Sequence, residues 1–303
     1  LLKNEGDLMG LIEDFLDDTR ILPRVKFEDY LSVYLEIRPC SFFTLPAELP
    51  GGSEYGRIID EKCAEDVALL LRTRDLYLRG RLILQLRNKI RKLFKELVLK
   101  SEVFKAHKDW AKALGLKMMV EEVRPSIYEV YIYRESKVGK RLKKLFSTRR
   151  EIRKAIVQVK PLGLPPSLLV YPEELSTTYI TELGELLGYP ECCIKRYAEE
   201  RSSGVYIEER ASRQIKELKR AGDKPDIYAF FSSNFFPCTP KCPKASEIGR
   251  KLYEAISRLS PSAGKAFLKC LEENVSTVEK YPDLIAEYRR MVDARARGLI
   301  SHM

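Results

Sequence analysis

Two cysteine pairs constrain this chain more than any other feature. The first lies in Gly188-Tyr189-Pro190-Glu191-Cys192-Cys193, the second in Phe235-Phe236-Pro237-Cys238-Thr239-Pro240-Lys241-Cys242-Pro243. Each stands where a helix should begin, because Pro190 and Pro243 carry the fixed φ that suits a first helical position, and apolar periodic residues follow both. A helix entrance presents unpaired N–H groups and the positive end of the peptide dipoles. That biases a thiol toward thiolate, the form that binds a metal or attacks.

The functional reading is that Cys192, Cys193, Cys238 and Cys242 converge to hold a metal, either one Zn²⁺ or an iron–sulfur cluster. Cys238 and Cys242 fit a C-x₃-C half-site, whereas adjacent cysteines make an awkward first half. Neighbours on a helical turn differ in direction by about 100°, so both reach one ion only if the turn is open. Two other readings stay open: a disulfide between the clusters, and inert thiols at a tightly packed junction. Cys40, Cys63 and Cys270 read as small core residues. On Leu186–Cys193, Pro237-Cys238 and Cys242, the chain resembles a prokaryotic, largely archaeal family of unknown function with a GYPxCC stretch followed by PCxxxC. The resemblance covers roughly residues 175–260. It implies that the four cysteines matter as a group and brings no activity with it.

In chain order, residues 5–18 carry an apolar stripe of Leu8, Ile12, Phe15 and Leu16 opposite Glu13, Asp14, Asp17 and Asp18, which predicts an acidic surface helix. Tyr30 to Arg38 alternates and predicts a half-buried strand, followed by a loop marked by Pro39, Pro46 and Pro50-Gly51-Gly52. From Asp60 to Leu114 the pattern is mostly helical, divided at Gly80. Met118–Val123 and Ile127–Tyr133 read as paired strands across Arg124-Pro125-Ser126, and Lys137–Lys154 as a basic helix. Ile156–Val159 and Leu168–Tyr171 look β-like around the prolines of 161–166. Beyond them the chain reads as helices at Thr177–Leu187, Pro190–Glu200, Tyr206–Ala221, Pro243–Leu259, Gly264–Glu273 and Val278–Ala296, the first capped by Ser176 or Thr177 and ended by Gly188. The expected fold class is α+β and helix-rich: an N-terminal unit over 1–165 with a small sheet, and a mainly helical unit over 166–303 carrying the cysteines.

The net charge of +10 is unevenly spread. Residues 71–160 hold 26 Lys and Arg against 9 Asp and Glu, a net +17, while residues 1–70 carry −8. A basic segment with interleaved aromatics is the composition of a nucleic-acid surface, RNA slightly favoured because no groove-reading motif stands out. The candidate contacts are Arg87, Arg91 and Lys95 in one row, and Lys140, Arg141, Lys143, Lys144, Arg149, Arg150, Arg153 and Lys154 in the next helix. Tyr77, Phe94, Phe104, Trp110, Tyr128, Tyr131, Tyr133 and Phe146 are the rings among them. One alternative is an enzyme using a Cys₄ metal or iron–sulfur site or reactive thiols. Another is an interaction protein docking an acidic partner. The only histidines are His107 and His302, and no phosphate loop or dinucleotide fingerprint is present, so catalytic chemistry has little support. Three glutamines and four asparagines among many charges lean toward a high-temperature host. With no secretory leader and no membrane-length apolar run, the expected location is cytoplasmic.

Overall fold

The computed structural model describes residues 5–159 and 171–301. Helix α1 (Glu5–Asp17) buries Ile12 and Phe15, as its stripe predicts. The strand expected at Tyr30–Arg38 is instead mostly helix: α2 spans residues 23–34, opens on Pro23 and is wound as a π-helix over Lys26–Leu31. Tyr30, Leu31, Ser32 and Val33 are all buried. A helix covered on every side loses the one-sided stripe that marks a helix in sequence. The first strand, β1 (Cys40–Leu45), lies where Pro39 and Pro46 suggested a loop.

Helices α3 (Gly52–Arg72) and α4 (Leu76–Phe94, running on through a π turn at Lys95–Leu99) pack against each other. The break between them is not at Gly80, which sits inside α4 with open space around it. It falls at 73–75, where the Asp75 carboxylate caps α4 by accepting from the Leu78 N–H at 2.6 Å. Ser101 caps α5 (Glu102–Ala113) in the same way.

The predicted hairpin forms as β2 (Lys117–Arg124) and β3 (Ile127–Tyr133), and β1 completes an antiparallel sheet of order β1-β3-β2. The central strand β3 separates two cores, because successive side chains point to opposite faces. Tyr128, Val130 and Ile132 join the larger one; Tyr131 and Tyr133 join a smaller one with Leu142, Leu145 and Phe146. Those last three come from α6 (Ser136–Val159), which includes the β-like run at Ile156–Val159. Half-buried Ile152 and Ile156 extend the inward stripe of Leu145 and Arg149 at helical spacing, so the helix continues. Of the suggested strand at Leu168–Tyr171 only Tyr171 is among the described residues, where it forms a bend and no strand; the prolines of 161–166 and the expected boundary near 165 lie outside them.

A 3₁₀ turn (Pro172–Leu175) leads to α7 (Thr177–Leu186), α8 (Glu191–Ser202) and α9 (Ile207–Arg220). A second 3₁₀ turn (Ile227–Phe230) and the cysteine loop precede α10 (Pro243–Leu259) and α11 (Pro261–Ser301). The two helices expected at Gly264–Glu273 and Val278–Ala296 are one, with Pro282 inside it. Asn274, which would suit a helix end, turns its amide inward to Glu28 and Phe230 instead. One hydrophobic cluster runs from Ile12 and Phe43 through Val130 to Cys193, Phe231 and Leu271, so the two halves of the chain share a core. No helix among the described residues is long and apolar enough to cross a membrane.

Candidate metal centre

The helix entrances that hold the cysteines are built by local sequence. Gly188 ends α7 at φ +70, and the Tyr189 N–H reaches back to the Gly184 carbonyl at 3.0 Å, a left-handed close that glycine adopts without cost. A Cβ at Gly188 would stand 2.8 Å from Pro39 Cδ, so the turn is also pressed against the N-terminal half. Pro190 is the cap of α8 rather than its first residue, accepting from Cys193 and Ile194 through its carbonyl. Pro243 does take the first position of α10, with Cys242 as the cap.

These turns bring four sulfurs together across about fifty residues of sequence. Cys192 Sγ lies 3.9 Å from Cys193 Sγ and 3.7 Å from Cys242 Sγ, and Cys193 to Cys242 is 3.6 Å. With Cys238 included, all four sulfurs lie within 4.8 Å of one another. The adjacent pair is therefore compatible with one site, because the first turn of α8 leaves both thiols on the same side. All seven cysteines are free thiols, so the disulfide alternative does not describe this structure. The four together could hold a metal ion.

Electrostatics divides the four. Burial pushes the Cys193 thiol well up and that of Cys238 up to about 11. At Cys242 burial is outweighed by the Ala245 N–H at the helix entrance and by neighbouring thiols, so its titration is lowered. Crowded, buried sulfurs of this kind become thiolates together only beside a cation. Backbone and arginines support them from outside. The Cys238 N–H points at Cys193 Sγ at 3.4 Å, and buried Arg210 donates to the Pro237 carbonyl at 2.8 Å while pairing with Glu200 at 3.0 Å. Arg196 meets the same Glu200 at 2.8 Å, and both guanidinium groups lie within electrostatic reach of Cys238. Arrangements of this kind orient ligands and balance a negative tetrathiolate site. Sequence reading missed Arg210, since nothing local separates it from a solvated helix arginine. As expected, Cys40, Cys63 and Cys270 are buried in the core.

The basic residues divide by environment. Arg87, Lys95, Lys140, Arg141, Lys143, Lys144, Arg150 and Lys154 are exposed. Arg91 is half-buried and pairs with Glu122 at 2.7 Å; Arg153 is half-buried and pairs with Glu173 at 2.6 Å. Arg149 is only 3% exposed and pairs with Glu129 at 2.8 Å and Glu173 at 3.1 Å, so it belongs to the interior and not to a phosphate-facing surface. Most of the interleaved rings do too: Phe94, Phe104, Tyr128, Tyr131, Tyr133 and Phe146 are buried, while Tyr77 is exposed. His107 is fully buried, its Nδ1 3.1 Å from the Tyr30 hydroxyl, and burial lowers its titration to about 3.

Against known proteins, no solved structure matches this chain. Over 69 residues it is 39% identical to the "Uncharacterized protein MJ1106" of the archaeon Methanocaldococcus jannaschii, a stretch that covers 22% of this chain and 36% of that relative. The chain thus spans about a third of the curated relative it matches. Residues 115–260, a span that includes all four converging cysteines, match the model of the family described as "Protein of unknown function (DUF483)".

Proposed function

We propose that this chain is a nucleic-acid-binding protein, RNA slightly favoured, whose four cysteines hold a single structural zinc ion. The observation that carries the surface reading is that two basic rows border the edge strand β2, one on each face of the sheet. Arg91 of α4 pairs with Glu122 at 2.7 Å, and Arg150 of α6 pairs with the adjacent Glu121 at 3.0 Å. The exposed cations of both helices therefore flank one strand, with Lys140, Lys143, Lys144, Arg150 and Lys154 making a stripe at helical spacing along α6. Such a stripe suits phosphates, which supply most of the affinity in sequence-tolerant binding.

Zinc is favoured over a cluster by the spacing of the sulfurs. Four thiolates ~2.3 Å from one zinc ion stand roughly 3.8 Å apart in a regular tetrahedron. The separations of 3.6, 3.7 and 3.9 Å among Cys192, Cys193 and Cys242 suit that arrangement, and Cys238 completes the set within 4.8 Å. A multi-iron cluster interposes its own iron and sulfide atoms and spreads its cysteines further. The ion would tie the starts of α8 and α10, and the cysteine signature of the resembled family would then be its ligand set.

The test is fluorescence anisotropy with mixed-sequence RNA and DNA, single- and double-stranded, across a salt series. If six cations meet phosphates, log affinity falls with log salt at a slope of roughly −4 to −5. Reversing Lys140, Lys143 and Lys144 to glutamate should flatten that slope. Absent or salt-independent binding overturns the reading.

A further inference from the structure

Beside the cysteine centre, where the sheet meets the C-terminal helices, lies a cavity of about 240 Å³, partly open to solvent. Two of its walls are aromatic. Phe42 and Tyr131 stack at 5.4 Å on the sheet side, and Tyr189 and Phe235 lie 4.7 Å apart on the loop side. The remaining lining mixes aliphatic side chains such as Ile180, Leu183 and Ile194 with ionisable ones, which is uncommon for an interior: Arg149, Glu129, Glu173 and Glu174 all contribute. Arg149 is held by Glu129, Glu173 and the Tyr179 hydroxyl at 2.8 Å, and Glu174 accepts from Tyr197 at 3.2 Å and pairs with Arg201 at 2.9 Å.

Taking these charges out of water is expensive, and apolar packing of the same volume would usually serve stability as well or better. A buried ionic cluster that lines a cavity is therefore better explained by what the cavity receives. Three features narrow the occupant. The carboxylates of Glu129, Glu173 and Glu174 are answered by Arg149, Arg153 and Arg201, so the cluster is balanced and disfavours a strongly charged ligand. The surplus chemistry is acceptor oxygen and phenol hydroxyl, which suits a ring edge that carries N–H donors. The aromatic walls suit a flat ring, and a cavity of ~150 Å³ already admits benzene, so 240 Å³ has room for a larger one.

We propose that this cavity binds a neutral, planar nitrogen heterocycle of nucleobase size, with its N–H edge toward the Glu129, Glu173 and Glu174 cluster and its faces against the aromatic walls. Burial holds the Glu174 carboxyl up to about 7, so near neutral pH it can accept or donate at that edge. The ligand is either a free base or nucleoside, or one unstacked base of a single strand, since both present the same edge. The cavity proposal does not depend on the basic surface, and the two can fail separately.

The experiment is calorimetric titration of the full chain with adenosine, guanosine, cytidine and uridine, and with short single strands that carry or lack one base. Leu183→Trp, which fills the cavity from α7, is the blocking variant, with circular dichroism as the folding check. The expected result is saturable binding of at least one nucleoside, or of a strand only when its base is present, weakened at least tenfold by L183W. Should that variant misfold, Tyr197→Phe removes one hydroxyl beside Glu174 and should weaken the same binding at least threefold. No nucleoside binding up to millimolar concentration, together with equal affinity for intact and abasic strands, overturns the cavity proposal even if polymers bind with the salt dependence given above. Base-dependent binding that neither folded variant weakens overturns it as well.

Discussion

Asn274 donates its side-chain amide to Glu28 at 2.7 Å, joining residues 246 positions apart in the chain. Glu28 also accepts from the Ser233 backbone N–H at 2.6 Å, so one buried carboxylate links α2, the segment before the cysteine loop and α11. Burial raises its titration to about 7 against an ordinary 4.5. A carboxyl raised in the folded state contributes stability that is complete below the unfolded value and is lost as pH climbs through the folded one. Between about pH 4.5 and 7 the protein should therefore lose roughly 3 kcal/mol on this account. Urea unfolding of wild type and Glu28→Gln at pH 4.5 and 8 checks it. The variant should gain on wild type as pH rises, and a constant difference would refute the assignment.

The metal centre makes a stoichiometric prediction. Purified protein should carry one zinc per chain by elemental analysis, and Cys193→Ser or Cys242→Ser should leave it substoichiometric. Because metal binding and folding are coupled, each variant should also lose several kcal/mol of stability, well beyond the cost of exchanging one buried thiol for a hydroxyl. Wild-type protein that is metal-free after anaerobic purification, and unaffected by a chelator, would remove the centre.

Neighbouring arginines should behave oppositely. Arg149→Met leaves Glu129 and Glu173 short of their buried partner and should cost about 3–5 kcal/mol in denaturant unfolding. Arg150→Met breaks an exposed pair with Glu121 and should cost less than about 1 kcal/mol.

Two glycines give a matched pair. A Cβ at Gly249 would stand 2.1 Å from the Tyr228 carbonyl oxygen, so Gly249→Ala should force α10 away from the 3₁₀ turn at a cost of about 1–3 kcal/mol. Gly80 lies within α4 with nothing within 4 Å, and Gly80→Ala should stabilise by roughly 0.5–1 kcal/mol. Thermal unfolding of both variants decides the contrast.

Much of the local architecture is legible in the sequence. Alternation around Arg124-Pro125-Ser126 marks the β2–β3 hairpin, Ser176 and Gly188 bound α7, and the prolines mark both cysteine-bearing helix entrances. The misreadings have a common cause. Residues 30–38 resemble a strand because their helix is buried all round, and the last helix reads as two because Asn274, inside it, meets partners that are remote in sequence. The aromatic-lined cavity was not legible either: its residues are scattered from Phe42 to Phe236, and only Glu129 within a β-rich run hints at a buried charge.

The sequence by itself determined the first helix, the β2–β3 hairpin, the helices from Thr177 to Leu259 and which cysteines stand at helix entrances, because caps, turns and periodicity act within a few residues. Only the tertiary structure decided that the two cysteine pairs meet, that Arg149 is interior while Arg150 is solvated, and that a charged cavity lies beside the sulfurs. Those outcomes depend on how distant segments pack, and packing answers to burial and partner geometry that no local pattern encodes.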